Sequence, residues 1–148
     1  MSERGYTITR QIPYKREFVW QAWTSPDEFA EWFGTDKLEM KDVRFDLRVG
    51  GAWSGTMVLP NGTEKFWHGE FVELDEPERL VMTITDEPGD DVLERYILEL
   101  TQRPTHTEMV LRQAGGNLSD EEYKHAKAGT EQFMDSMLGC LKARHDPI

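Results

Sequence analysis

Few side chains in this sequence combine the type and position that chemistry would need. Glu94 falls on the same strand parity as Tyr96, so its carboxylate could turn inward, where desolvation would raise its pKa and suit it to general acid or base work. The simpler reading makes it an exposed strand-end charge beside Asp90 and Asp91. Gln113 falls on the apolar parity of its own strand. If buried, its amide needs hydrogen-bond partners and could orient a ligand; near the strand's solvated end it needs none. His68 has the opposite parity from Trp67, Gly69 and Phe71 and is expected to face out.

The remaining candidates form no constellation. His68, His106, His125 and His145 lack metal-ligand spacing, no His-Glu-x-x-His occurs, and one cysteine cannot build a zinc site. Gly50-Gly51 carries neither phosphate-cradling glycine pattern, and Gly115-Gly116 reads as a loop before a helix cap. There is no nucleophile elbow. Cys140 sits among apolar helix positions and reads as a small buried thiol. The sequence therefore predicts no catalytic residues, no metal site and no cofactor.

The elements that would position these residues are legible from periodicity and turn signals. Tyr6 to Ile12 alternates apolar and polar residues and stops at Pro13, a strand with one buried face. Lys15 to Thr24 shifts to helical spacing, with Phe18, Val19, Ala22 and Trp23 on one side. Ser25-Pro26-Asp27-Glu28 combines an N-cap, a proline at the first helical position and a capping-box glutamate, so a second helix starts there and ends at Gly34. Turn signals at Gly50-Gly51, Pro60-Asn61-Gly62, Asp75-Glu76-Pro77, Glu87-Pro88-Gly89-Asp90 and Arg103-Pro104-Thr105 divide the stretch from Leu38 to Ala114 into six strands, near 38–47, 51–59, 64–74, 79–86, 92–102 and 106–114. Such short spacings leave no room for crossover helices, so the sheet is an antiparallel meander. Ser119 and Glu122 open a long last helix, to about Arg144, whose stripe runs through Tyr123, Ala126, Thr130, Phe133, Met137 and Leu141. Gly129 inside it costs about 1 kcal/mol relative to alanine, which suggests a close backbone approach. The fold class is α+β: a seven-stranded curved antiparallel sheet around a long C-terminal helix, with two short helices between strands one and two, in one domain over residues 1–148.

Composition restricts partners. A 148-residue chain with 38% hydrophobic and 30% charged residues is that of a globular protein. Its net charge of −11 opposes nucleic acid and anionic lipid surfaces. No apolar run approaches the roughly 20 residues a bilayer span needs, and Met1 to Arg10 does not read as a signal peptide, so membrane insertion is not expected and the expected compartment is the cytoplasm. The chain should be a monomer or a weak homodimer joined by outward Trp or Phe side chains of the strands.

Strand parity nominates a ligand-binding lining. Trp53 and Met57 share a face of the third strand, Tyr96 and Leu98 of the sixth, and Met109, Leu111 and Gln113 of the seventh. Phe133 and Met137 face them from the long helix, and Trp23, Trp32 and Phe33 from the helical pair. The same stripes would be needed for an ordinary solid core.

The segments Pro13-x4-Phe18-Val19-Trp20-x-Ala22-Trp23-Thr24-x-Pro26, Trp32-Phe33-Gly34 and Asp46-x-Arg48-x-Gly50-Gly51-x-Trp53 occur in that order. They are followed by Gly69-x-Phe71-x-Glu73-Leu74-x2-Pro77-x-Arg79-Leu80-Val81 and by Thr107-Glu108-Met109-Val110-Leu111 before the terminal helix. With them the chain resembles the helix-grip superfamily, also called SRPBCC or START-like, and within it the branch similar to the C-terminal domain of the activator of the 90-kDa heat-shock-protein ATPase. Many relatives carry Gly-Trp early in the last helix, where this chain has Gly129-Thr130, so the details of pocket shape are not carried over. The resemblance implies non-catalytic binding of a hydrophobic small molecule, such as a lipid, an aromatic or a polyketide-like compound, between sheet and helix. Its alternatives are a chaperone partner, with ATPase activation and a stress-response role, or a cyclase or hydrolase acting on a bound apolar substrate.

Overall fold

The computed structural model describes residues 4–34, 38–86, 94–116 and 118–148. Strand β1 (Gly5–Ile12) leads into helices α1 (Arg16–Thr24) and α2 (Pro26–Trp32). Six strands follow, β2 (Glu39–Phe45), β3 (Ala52–Val58), β4 (Glu64–Asp75), β5 (Arg79–Ile84), β6 (Glu94–Gln102) and β7 (Thr107–Ala114), and then helix α3 (Asp120–Arg144). The sheet order is β1-β7-β6-β5-β4-β3-β2, with every adjacent pair antiparallel. The expected meander is thus present, and β1 closes it by pairing with the last strand. The turn expected at residues 87–90 lies outside the described residues.

Both helix starts follow from the caps read in the sequence. Ser25 Oγ accepts from the backbone N–H of Glu28, and Ser119 and Glu122 form the reciprocal capping box at 3.2 and 3.0 Å. The Ser119 backbone N–H, with a further contribution from the Ser119 side chain, holds the Glu122 carboxylate below the ordinary glutamate range.

The strand register stacks the inward side chains in rows. Tyr6 on β1, Gln113 on β7 and Tyr96 on β6 are directly opposite one another, and the next row along holds Ile8, Leu111 and Leu98. The α1–α2 pair covers a second part of the same face with Trp23, Phe29, Trp32 and Phe33, each at most 1% exposed. Trp32 is fixed there by donating its indole N–H to the Ala22 carbonyl at 2.7 Å. Helix α3 lies across the face, buried through Tyr123, Thr130, Met134, Met137 and Leu141. It is anchored to β1 by Arg10 and Asp135 at 2.6 Å, and to α2 by Arg144 and Glu31 at 2.6 Å.

One expectation is corrected. Gly129 makes no close approach: a Cβ built on it meets nothing within 4 Å. Of the outward Trp or Phe side chains expected on the strands, Phe66 on β4 is exposed at 51%, whereas Trp53 is buried and Trp67 half-buried. Among the described residues no helix is long and apolar enough to cross a membrane.

Candidate functional site: a half-open cavity under the last helix

Helix α3 does not meet the sheet uniformly. Its C-terminal half packs into the main core, whereas Tyr123 near its start joins a separate small cluster with Tyr6 and Ile8. Between the two clusters lies a partly open cavity of about 530 Å³. This is within the roughly 300–1,000 Å³ typical of small-molecule pockets.

Most of the wall is apolar. Met57 and Leu59 come from β3 and its end, Trp67 from β4 and Ile84 from β5, and α3 contributes Ala126 and Phe133. Gly129 contributes bare backbone, which accounts for a glycine that no packing contact requires. The exposed part of the wall carries Lys65 paired with Asp86 at 3.1 Å, together with His125.

Besides Thr85, the buried part of the wall carries one polar cluster. Tyr96 and Gln113, neighbours in the strand row, meet Thr130 descending from α3. The Tyr6 hydroxyl donates to Gln113 Oε1 at 2.6 Å and lies 2.6 Å from Thr130 Oγ1, which in turn lies 3.2 Å from the Tyr96 hydroxyl. These four side chains are at most 7% exposed. Burial pushes both phenols above the ordinary tyrosine range, so they are neutral donors and acceptors at physiological pH.

Glu94 requires a correction. It is not an exposed strand-end charge but a half-buried wall residue, accepting the Tyr123 hydroxyl at 3.0 Å and packed against Gly116. That hydrogen bond comes from the last helix, a tertiary contact that strand parity does not encode. Gln113 takes the buried of its two readings, at 7% exposure. His68 is half-buried, stacks on the outward Phe66 ring at 5.3 Å and has no part in the cavity wall.

Of the twelve residues nominated as lining, the cavity wall brings together Met57, Tyr96, Gln113 and Phe133. Trp23, Trp32, Phe33, Trp53, Leu98, Met109, Leu111 and Met137 instead fill the core, each 1% exposed or less. They have the right face but the wrong level, because the helical pair and the C-terminal half of α3 seal the sheet there. The sequence reading did not assign Tyr6, Trp67 or Thr130 to the site. A threonine within an otherwise apolar helical stripe was the available signal for Thr130. Trp67 adds a further feature: its indole nitrogen is buried with no hydrogen-bond partner among the described residues.

An antiparallel sheet curved over a long terminal helix, with an inserted helical pair and a cavity between sheet and helix, defines a helix-grip protein. The sequence profile of the family described as Activator of Hsp90 ATPase homolog 1-like protein matches residues 13–142, and the chain belongs to that family. The fold is similar to that of a protein from Nitrosomonas europaea, with a TM-score of 0.82, 22% identity and 97% of each chain covered. It is also similar to an AHSA1-like protein from Aeromonas hydrophila, with a TM-score of 0.80, 21% identity and coverage of 98% of this chain and 99% of that one. A Staphylococcus aureus protein of unknown function gives a TM-score of 0.82 at 19% identity, covering 96% of this chain and 95% of that one. No curated protein matches the chain.

Proposed function

We propose that this protein binds an apolar small molecule in the cavity between β3–β7 and α3, without transforming it. The observation that carries this reading is the coexistence of a largely apolar-walled cavity of about 530 Å³ with a buried, hydrogen-bonded polar cluster. Pockets that bind small molecules combine a largely apolar lining with a few placed polar groups. Glu94 reaches the wall, where its carboxylate accepts from the Tyr123 hydroxyl.

A chaperone-activating role rests on the family's description. The large apolar side chains most exposed among the described residues are Leu47, Val49, Phe66 and Ile148, which gives it no further support. Titration with a neutral solvatochromic dye such as Nile red tests the binding reading. Saturable binding near one equivalent is expected, with competition by other neutral apolar compounds and a rise in melting temperature that grows with ligand concentration. Absence of saturable binding across a chemically diverse apolar panel would remove it.

A further inference from the structure

The polar cluster on the cavity wall has a direction. Tyr6 spends its one hydroxyl proton on Gln113 Oε1, so the short contact between Tyr6 and Thr130 must be donated by Thr130. Thr130 has then spent its proton too, and the contact with Tyr96 is donated by Tyr96. The protons run in one chain, from Tyr96 to Thr130 to Tyr6 to the Gln113 carbonyl oxygen. All three hydroxyl protons are committed, and the chain ends on an amide whose NH2 has no protein acceptor among the described residues. Gln113 is 7% exposed and lies on the cavity wall, so its free donors are held at the cavity and nearly shielded from bulk solvent.

We propose that Gln113, fixed by Tyr6 and Thr130, is the recognition group of the cavity, and that it selects neutral apolar molecules bearing a carbonyl oxygen. This rests on the binding function proposed above and specifies its ligand class. A hydrocarbon that fills the cavity leaves the two amide N–H groups unpaired, the expensive case for a buried donor. A ligand carbonyl accepts from them while the apolar wall covers its carbon skeleton. A carboxylate gains the same hydrogen bond but enters beside the Glu94 carboxylate, while the wall's lysine, Lys65, is paired with Asp86. A chain of net charge −11 adds to that bias.

Competition against bound Nile red tests this with three ligands of one shape: acetylnaphthalene, isopropylnaphthalene and naphthoate at neutral pH. The ketone is expected to bind about tenfold more tightly than either of the others, the ratio one net hydrogen bond gives. In Gln113→Leu the ketone's advantage over the hydrocarbon should fall below about twofold. Gln113→Glu, which can accept from Tyr6 but cannot donate when ionised, should lose the same advantage and serves if the leucine variant does not fold. Equal binding of ketone and hydrocarbon by the native chain, or an undiminished ketone advantage in the variant, overturns the proposal and leaves the binding function standing. Failure of the native chain to bind the dye or any of the three ligands removes both.

Discussion

Thr130 Oγ1 lies 2.6 Å from the phenol oxygen of Tyr6, and this contact ties the first half of α3 to the edge strand β1 beside the cavity. The same oxygen also takes the Tyr96 hydroxyl at 3.2 Å, so one small side chain joins two strands and the helix. A larger residue there would displace this network; a threonine leaves space on the wall and supplies both a donor and an acceptor.

Thr130→Val keeps that shape and removes both functions. Two buried phenols each lose a partner, which should lower stability by about 1–3 kcal/mol, the usual cost of leaving buried polar groups unsatisfied. Urea unfolding should show a lower midpoint with an unchanged slope. An unchanged midpoint would mean that the tyrosine network contributes nothing to holding α3.

Gly129 faces the cavity, and nothing lies within 4 Å of where its Cβ would be. Gly129→Ala should therefore stabilise the helix by about 1 kcal/mol, the helix-propensity difference acting without steric opposition. Gly129→Phe should extend a ring into the cavity and abolish dye binding while the circular dichroism spectrum is retained. Native-like dye affinity in the phenylalanine variant would place the binding site elsewhere.

Element types and order were legible in the sequence because caps, turn residues and alternation are local signals. Ser119 with Glu122 marked α3, and the parity of Met109, Leu111 and Gln113 gave the inward face of β7. The level of the cavity along that face was not legible. Leu111 and Gln113 share a parity, yet Leu111 is sealed in the core and Gln113 lines open space. What separates them is how far α1, α2 and the C-terminal half of α3 extend over the sheet, a packing outcome no strand pattern contains. Glu94 was misplaced for a related reason, since its Tyr123 partner is supplied from another element.

The two network phenols make stability depend on pH at the alkaline end. Both have folded pKa values raised above the ordinary 10.0, with burial as the largest cause. The folded state therefore holds these protons more tightly than the unfolded state. Their contribution is fully present below pH about 10 and is lost as pH rises beyond it, at up to about 1.4 kcal/mol per pH unit for each phenol. Because they share Thr130, the two should titrate as a coupled pair. Urea midpoints measured from pH 8 upward should fall above pH 10, and Tyr6→Phe should make that fall shallower. An identical alkaline slope in the variant would show that Tyr6 is not part of the response.

Strand β4 shifts register against β5 between Phe71 and Glu73, and Gly69 just before the shift is tightly crowded. A Cβ there would overlap the Thr83 carbonyl oxygen and lie 2.7 Å from the Trp53 indole nitrogen. Trp53 donates to that same carbonyl at 2.8 Å, reaching across β4 from β3 to β5 over the position where the glycine has no side chain. Thr83 in turn accepts the Glu70 N–H on its hydroxyl at 2.9 Å, and the β4–β5 register shifts between Phe71 and Glu73. The indole bridge and the missing Cβ thus form one unit, and Trp53 is too enclosed to yield at 1% exposure. Gly69→Ala should force backbone displacement and break the indole bond, costing at least 2–3 kcal/mol by the magnitudes of overpacking and of an orphaned buried donor, about 1–3 kcal/mol each. Trp53→Phe should cost less, because the ring's place is kept and only the N–H is lost. In the double variant the shorter ring gives the added methyl room, so the two costs should sum to more than the measured total. Strict additivity in urea unfolding would show that the glycine is present for some reason other than the indole bridge.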